Sequence, residues 1–301
     1  MADTADRILP AISLRLLSVV CLASMTASIK LAEARGAHLA EILFCRQAGA
    51  TLLVTAIVAR GPGLRSVATR RLPAHISRAV VWLTSMALLF TAVLLLPLAE
   101  ATTLQFTVPI FATILGALVL GEPTGWHRWA AVVAGFAGVL IVTQPGSGHI
   151  PLLGAAAGLT AAMLTALVSI LLRQIGRTES STTTVFWFSL LSLIPLAPFY
   201  LMGMQTHSPI VWALLGVIGL FGGAGQLALT AALRLGPVSI VVPMDYSSII
   251  WATLYGWLLF GMLPGPMTWL GAPLIIASGL YIVWREHRLH RERTDRAAAQ
   301  S

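Results

Sequence analysis

Apolar runs long enough to cross a bilayer, about 17 to 25 residues each, follow one another along this chain almost without pause. No other feature narrows the fold as far. Inside hydrocarbon a backbone must satisfy its own N–H and C=O groups, so consecutive runs of this length read as transmembrane helices. Composition agrees. Of 301 residues, 57% are hydrophobic and 10% charged, with a mean hydropathy of +0.86, whereas soluble domains carry about a quarter charged residues. An all-α integral membrane protein is expected, not a soluble domain with a large core.

Ten spans are expected. The first five are Ile12–Leu31, Leu39–Val58, Ala79–Leu96, Ala101–Leu120 and Trp129–Thr143. The second five are Leu152–Leu172, Thr184–Leu201, Ile210–Leu233, Val238–Phe260 and Met267–Trp284. The breaks between them carry turn chemistry: "RGPG" from Arg60, "GEPTG" from Gly121, "QPGSG" from Gln144 and "GMLPGP" from Gly261. Cys21 and Cys45 fall inside apolar runs and read as small buried residues, not as a disulfide framework or metal site.

The net charge of +8 does not indicate nucleic acid, because the positive residues sit in short connectors and follow membrane topology. With the N-terminus in the cytoplasm, inside segments hold Arg7, Arg15, Arg60, Arg65, Arg70, Arg71, Arg78, Arg128, Arg173, Arg177 and Arg234, and the tail adds five more arginines from Arg285. Outside connectors hold only Lys30 and Arg35. Lys and Arg resist translocation, so both termini are expected in the cytoplasm of a plasma or bacterial inner membrane, with an even span count. A cleaved signal peptide is the alternative for the first segment, given "ASMTAS" from Ala23. It would leave nine spans and unpair the charge pattern.

Shifted by 140 residues, "PLAEATTLQFTVPIFATILGALVLGEPTGWHRW" from Pro97 lies over "PVSIVVPMDYSSIIWATLYGWLLFGMLPGPMTW" from Pro237. Pro97/Pro237, Gly116/Gly256, Gly121/Gly261, Gly125/Gly265 and Trp129/Trp269 coincide. Each half would hold five spans, and an odd count makes the second half enter from the opposite side. That is an inverted-topology repeat, an arrangement of secondary transporters. Residues 10–145 and 150–284 are the expected repeats, and 285–301 a basic cytoplasmic tail.

These two segments, each followed by a further apolar run, resemble the two EamA-type repeats of the drug/metabolite transporter superfamily. "EILFCR", Glu41 to Arg46, is similar to that family's second-helix motif of an acidic residue, an aromatic and an arginine. The resemblance covers roughly Leu14 to Trp284 and implies a transporter of ten helices. It is also similar to the branch containing S-adenosylmethionine and riboflavin transporters; other superfamily members move amino acids. The second repeat has Gly261-Met262 where the first has Gly121-Glu122, so no acidic role carries over there.

Ionisable residues inside spans point to function, because a charge at the bilayer centre costs at least ~2.5–3.5 kcal/mol. Arg46 and Asp245 stand out. Glu41, Lys30 and Glu100 lie near outer span ends, where headgroups or structural contacts account for them. Arg46 lies roughly 10 Å below the outer face and Asp245 a similar depth above the inner one, at ~1.5 Å per residue. Gln105, Phe106 and Thr107 are the repeat counterparts of Asp245, Tyr246 and Ser247, and Pro109 and Pro243 interrupt the two helices. The expected solute pathway therefore includes Arg46, Gln105, Phe106, Asp245, Tyr246 and Ser247, with helix breaks at Pro109 and Pro243. The alternative for Asp245 is a carboxylate bonded to hydroxyls or an arginine for packing.

No catalytic residue, metal site or cofactor is expected. No Ser/His/Asp set, metal-ligand spacing or phosphate loop is present in the sequence. The expected partners are a small-molecule solute and the lipid bilayer; a homodimer is compatible with the sequence. The competing readings are a non-transporting assembly or scaffold subunit and an intramembrane lipid-modifying enzyme.

Overall fold

The computed structural model describes residues 2–119, 125–144, 150–175, 179–203, 205–235 and 242–298. The described chain is helical. In order it forms α1 (Ala2–Glu33), α2 (Leu39–Arg60), a 3-10 turn (Leu64–Val67), α3 (Leu72–Leu95), α4 (Leu98–Gln105) and α5 (Val108–Val119). Then come α6 (Trp126–Thr143), α7 (Leu152–Ile175), α8 (Ser181–Gly203), α9 (Pro209–Leu235), a 3-10 turn (Val242–Ser247), α10 (Ser248–Phe260) and α11 (Pro266–Ala298). Among the described residues, eight stretches are long and apolar enough to cross a membrane, one of them α4 and α5 together; Trp129–Thr143 is a shorter apolar helix.

Three expected spans differ from the helices observed. The third starts at Leu72, not Ala79, so His75 and Arg78 lie within a helix and not in a cytoplasmic connector. Hydropathy sets the boundary at the arginine, but the arginine is buried by its neighbours. The fourth starts at Leu98 and breaks at Phe106–Thr107. Pro109 has no N–H to give the Gln105 carbonyl, so the α-helical ladder stops and tighter bonds replace it, Phe106 N–H to Thr103 O (3.1 Å) and Thr107 N–H to Leu104 O (3.2 Å). Of the ninth, Val238–Phe260, the first part lies outside the described residues; the rest is the 3-10 turn holding Pro243 and then α10.

The 140-residue spacing recurs in the elements. α5 and α10 begin at 108 and 248, and α6 and α11 at 126 and 266. Packing follows the same exchange. α1 lies against α9, and α3 against α7. Ser18 on α1 donates to Gly225 O (2.7 Å), and Ser85 on α3 donates to Ala161 O (2.8 Å) on α7. α6 and α11 cross antiparallel. Gly138 stands against Gly271 and Ile275, while Ser278 donates to Ala131 O (2.6 Å).

Small residues set the closest approaches. A Cβ on Gly49 of α2 would stand 2.5 Å from the Gly219 Cα of α9. Only glycine admits that contact, and lipid-embedded helices use it to gain dispersion where water supplies no driving force. Gly261 ends α10 at φ +64°, with its N–H on Trp257 O (3.0 Å) and Met262 N–H on Gly256 O (2.9 Å).

Candidate functional site

The break at Phe106–Thr107 and its counterpart, the 3-10 turn Val242–Ser247, are each closed by their own hydroxyl. Thr107 donates to Leu104 O (2.6 Å) and Ser247 to Met244 O (2.6 Å), so each side chain takes a carbonyl three residues back. The aromatic residues one position earlier meet. Phe106 and Tyr246 have ring centroids 4.9 Å apart at 63°, an edge-to-face contact. The Tyr246 hydroxyl is buried without a hydrogen-bond partner, beside Gly279, where it would stand 2.3 Å from any added Cβ and where Pro109 also packs.

Each break is then anchored to a different helix by the polar residue before its aromatic. Gln105 donates its amide to Gly158 O of α7 (3.1 Å). Asp245 accepts from Arg15 of α1, through both the Nε and Nη2 atoms of the guanidinium. The Arg15 side chain is 9% exposed and that of Asp245 36%, so the pair is half-desolvated. Arg15 Nη1 also lies 3.5 Å from Ser18 Oγ. The sequence places Arg15 among the cytoplasmic charges; the structure makes it the partner of Asp245, the aspartate expected inside a span. The signal available was an arginine three residues inside the first expected span.

Arg46 lies elsewhere, on α2 against Gly222 of α9 and Met25 of α1. It is 3% exposed, donates to the Gln47 side chain and has its guanidinium 5.9 Å from the Phe188 ring centroid. Arg78 reaches the same ring at 5.4 Å, lies as close to Trp82 and donates to Thr184 O (3.1 Å). It is 1% exposed. The Nε atoms of both arginines have no partner. Among the described residues neither is ion-paired; Arg15–Asp245 and His207–Glu41 are the pairs described. Ring stacking contributes about 0.5–2 kcal/mol per cation, whereas desolvating an ion costs several kcal/mol. Stacking alone therefore leaves both guanidiniums under-compensated.

The remaining charges near span ends have internal partners. Glu41 accepts from His207 Nε2 (2.9 and 3.0 Å) and from the His38 N–H (2.9 Å). Glu100 accepts from Gly265 N–H (3.1 Å) and Thr268 Oγ1 (3.0 Å). Lys30 donates to Val93 O (3.2 Å) and Leu96 O. Apart from the local His38 bond, these are tethers between segments far apart in sequence. Pro243 lies in the 3-10 turn. A groove of about 370 Å³ between α6 and α11, lined by Trp126, His127, Leu274 and Tyr281 among others, contains none of the expected pathway residues. Among the described residues no three His, Cys, Asp or Glu side chains are grouped to hold a metal.

The profile of the EamA-like transporter family matches the chain twice, over residues 9–144 and 152–284. A riboflavin transporter of Rhizobium johnstonii is 32% identical over 233 residues, 76% of each chain. One of Vibrio cholerae is 31% identical over 203 residues, 65% of this chain and 66% of that protein. An S-adenosylmethionine uptake transporter of Rickettsia prowazekii is 24% identical over 230 residues, 75% of this chain and 76% of that protein. A solved crystal structure, 18% identical, superposes with a TM-score of 0.63 over 95% of this chain and 99% of that one, which shows the fold.

Proposed function

This chain belongs to the EamA-like transporter family, and we propose that it is a secondary transporter moving a small metabolite across the inner membrane by alternating access. It is an integral membrane protein whose similar proteins are transporters, not enzymes. The finer reading is ours: ten spans, two inverted five-helix repeats, and both termini in the cytoplasm. The exchange of packing partners under a 140-residue shift, with α1 on α9 and α3 on α7, supports it.

The observation that carries the proposal is the meeting of the two helix breaks. Phe106 and Tyr246 touch edge to face, each one residue beyond a polar group bound to the first helix of the other half. A rocking motion of one half against the other must separate or slide that contact. The solute then meets two aromatic rings, an unpaired tyrosine hydroxyl and an aspartate in the pathway. Planar metabolites of the riboflavin kind, S-adenosylmethionine and amino-acid-like solutes fit such a surface.

The test is uptake by proteoliposomes holding the purified full chain. Riboflavin, S-adenosylmethionine and a mixture of amino acids and nucleosides are supplied outside, and the lumen is read by mass spectrometry. Accumulation of at least one solute above that in protein-free vesicles is expected, with loss in Tyr246→Ala. Equal contents in both vesicle types, for protein shown to be folded, would refute transport and favour an assembly role.

A further inference from the structure

Among the described residues, the five buried side-chain nitrogens that lack any partner belong to four residues of two adjoining helices: Arg46 Nε and Gln47 Nε2 on α2, and His75 Nδ1, His75 Nε2 and Arg78 Nε on α3. All four residues are at most 3% exposed. The Phe188 ring on α8 lies within 6 Å of both guanidiniums, so these are no farther apart than the sum of the two distances. Arg78 and His75 are three residues apart and share a helix face. Buried nitrogens of this kind are rare, because an unmatched donor loses its bond to water and gains nothing.

At the two arginines and Gln47 the imbalance has one sign. Arginine brings donors only and keeps its proton at any physiological pH, Gln47 has its acceptor occupied by Arg46, and a neutral imidazole offers a donor beside an acceptor. Among the described residues neither arginine has a carboxylate partner, in contrast with Arg15. Glu179 accepts from Thr69 Oγ1 (2.8 Å). Among the described residues, the acceptors that the two arginines reach are the Gln47 amide oxygen and the Thr184 carbonyl. An incoming group that carries acceptors and negative charge would match all of these donors.

We propose that Arg46 and Arg78, on either helix beside Phe188, with Gln47 and His75, form an anion site that takes a carboxylate or phosphate group of the transported solute. It rests on the transporter reading and adds the chemical class of the solute. The arginines' planar forks suit both groups through paired N–H bonds. Because Arg46 belongs to α2 and Arg78 to α3, an anion held between them ties together helices whose separation would otherwise be governed by two uncompensated charges.

The experiment uses the full chain in nanodiscs of phosphatidylcholine. The unfolding midpoint is followed against inorganic phosphate and against succinate at constant ionic strength, with chloride as the balancing salt. A saturable upward shift with at least one of the two is expected, with half-saturation weakened tenfold or more in Arg46→Gln and in Arg78→Gln. If either variant fails to fold, Gln47→Glu supplies a second arm. Its built-in carboxylate faces Arg46, so it should raise the midpoint without added anion and abolish the response to phosphate or succinate. No saturable shift with either anion, or an unchanged shift in the variants, overturns the site. A shift produced by adding phosphatidylglycerol to the nanodisc, with none from the soluble anions, assigns the arginines to a lipid headgroup and also overturns it. Uptake restricted to solutes without an anionic group would keep the transporter reading and remove this one.

Discussion

Replacing Asp245 by asparagine tests whether its ion pair with Arg15 governs transport. The substitution keeps size and one acceptor oxygen, so Arg15 retains a hydrogen bond and loses the charge. Removing one partner of a fully buried pair costs about 3–5 kcal/mol, and an exposed pair is worth about 0–1 kcal/mol. With Arg15 9% and Asp245 36% exposed, the loss should fall between, about 1–3 kcal/mol, which is a factor of about 5–150 in a two-state equilibrium. The pair joins α1 to the turn before α10, so that factor appears in how often this end opens, provided the pair breaks in the other state. The assay is labelling of Met244→Cys by a membrane-impermeant maleimide from the cytoplasmic face, with Cys21 and Cys45 replaced by alanine. Asp245→Asn should label at least about fivefold faster and take up solute more slowly, while inserting and purifying normally. Arg15→Gln should do the same, and the double variant should be no worse than either single one, since both remove one interaction. Wild-type labelling and uptake in Asp245→Asn, or additive effects in the double variant, would refute a gating role.

Three further outcomes are expected. Reporter fusions after Gly63, Gly176 and Arg288 should report cytoplasmic, and those after Gly36, Gly148 and Gly265 external; an external tail would contradict both the even span count and the inverted repeat. Gly219→Val should push α2 and α9 apart, because an added Cβ at Gly219 would stand 2.8 Å from Cys45 O and 3.0 Å from Gly49 Cα; a loss of about 1–3 kcal/mol is expected, read as a lower unfolding midpoint in detergent. Trp187→Phe removes the indole bond to Val67 O (2.7 Å) and should cost about 1 kcal/mol, seen in the same measurement, with uptake unchanged.

Helix type and the interruption before Pro109 were legible in the sequence because both are local; what precedes the turn holding Pro243 lies outside the described residues. Hydrocarbon length fixes the first and proline the second, and Pro109 lies four residues beyond the carbonyl it cannot bond. The 140-residue spacing also singled out Phe106 and Tyr246 as counterparts, since glycine and proline pairs fix the register. Arg15 was not legible as the partner of Asp245. The two lie 230 residues apart, and an arginine close to the N-terminus reads first as a topology signal. Arg78 was misread for a related reason. A hydropathy window ends at a guanidinium, yet Trp82 one turn later and Phe188 on another helix give it two aromatic faces and Thr184 a carbonyl. Which residues cover a charge is a property of packing, and packing between distant helices leaves no mark in spacing along the chain.

The two breaks are alike in backbone and unlike in charge, and that difference bears on function. Both fold their hydroxyl onto the carbonyl three residues back, and both present an aromatic ring to the other. One is held to α7 by a neutral amide, the other to α1 by an ion pair. A neutral hydrogen bond contributes about 0.5–1.5 kcal/mol net, whereas the charged one responds to anything that brings charge near it. On the inverted-repeat reading, the two ends of the pathway are closed by latches of unequal kind. A solute or proton that neutralises Asp245 would weaken one latch and leave the other untouched. That asymmetry lets a fold of two similar halves rest with one side open in preference to the other, because a symmetric pair of latches would hold both conformations equally; the direction of net transport is set by the gradients.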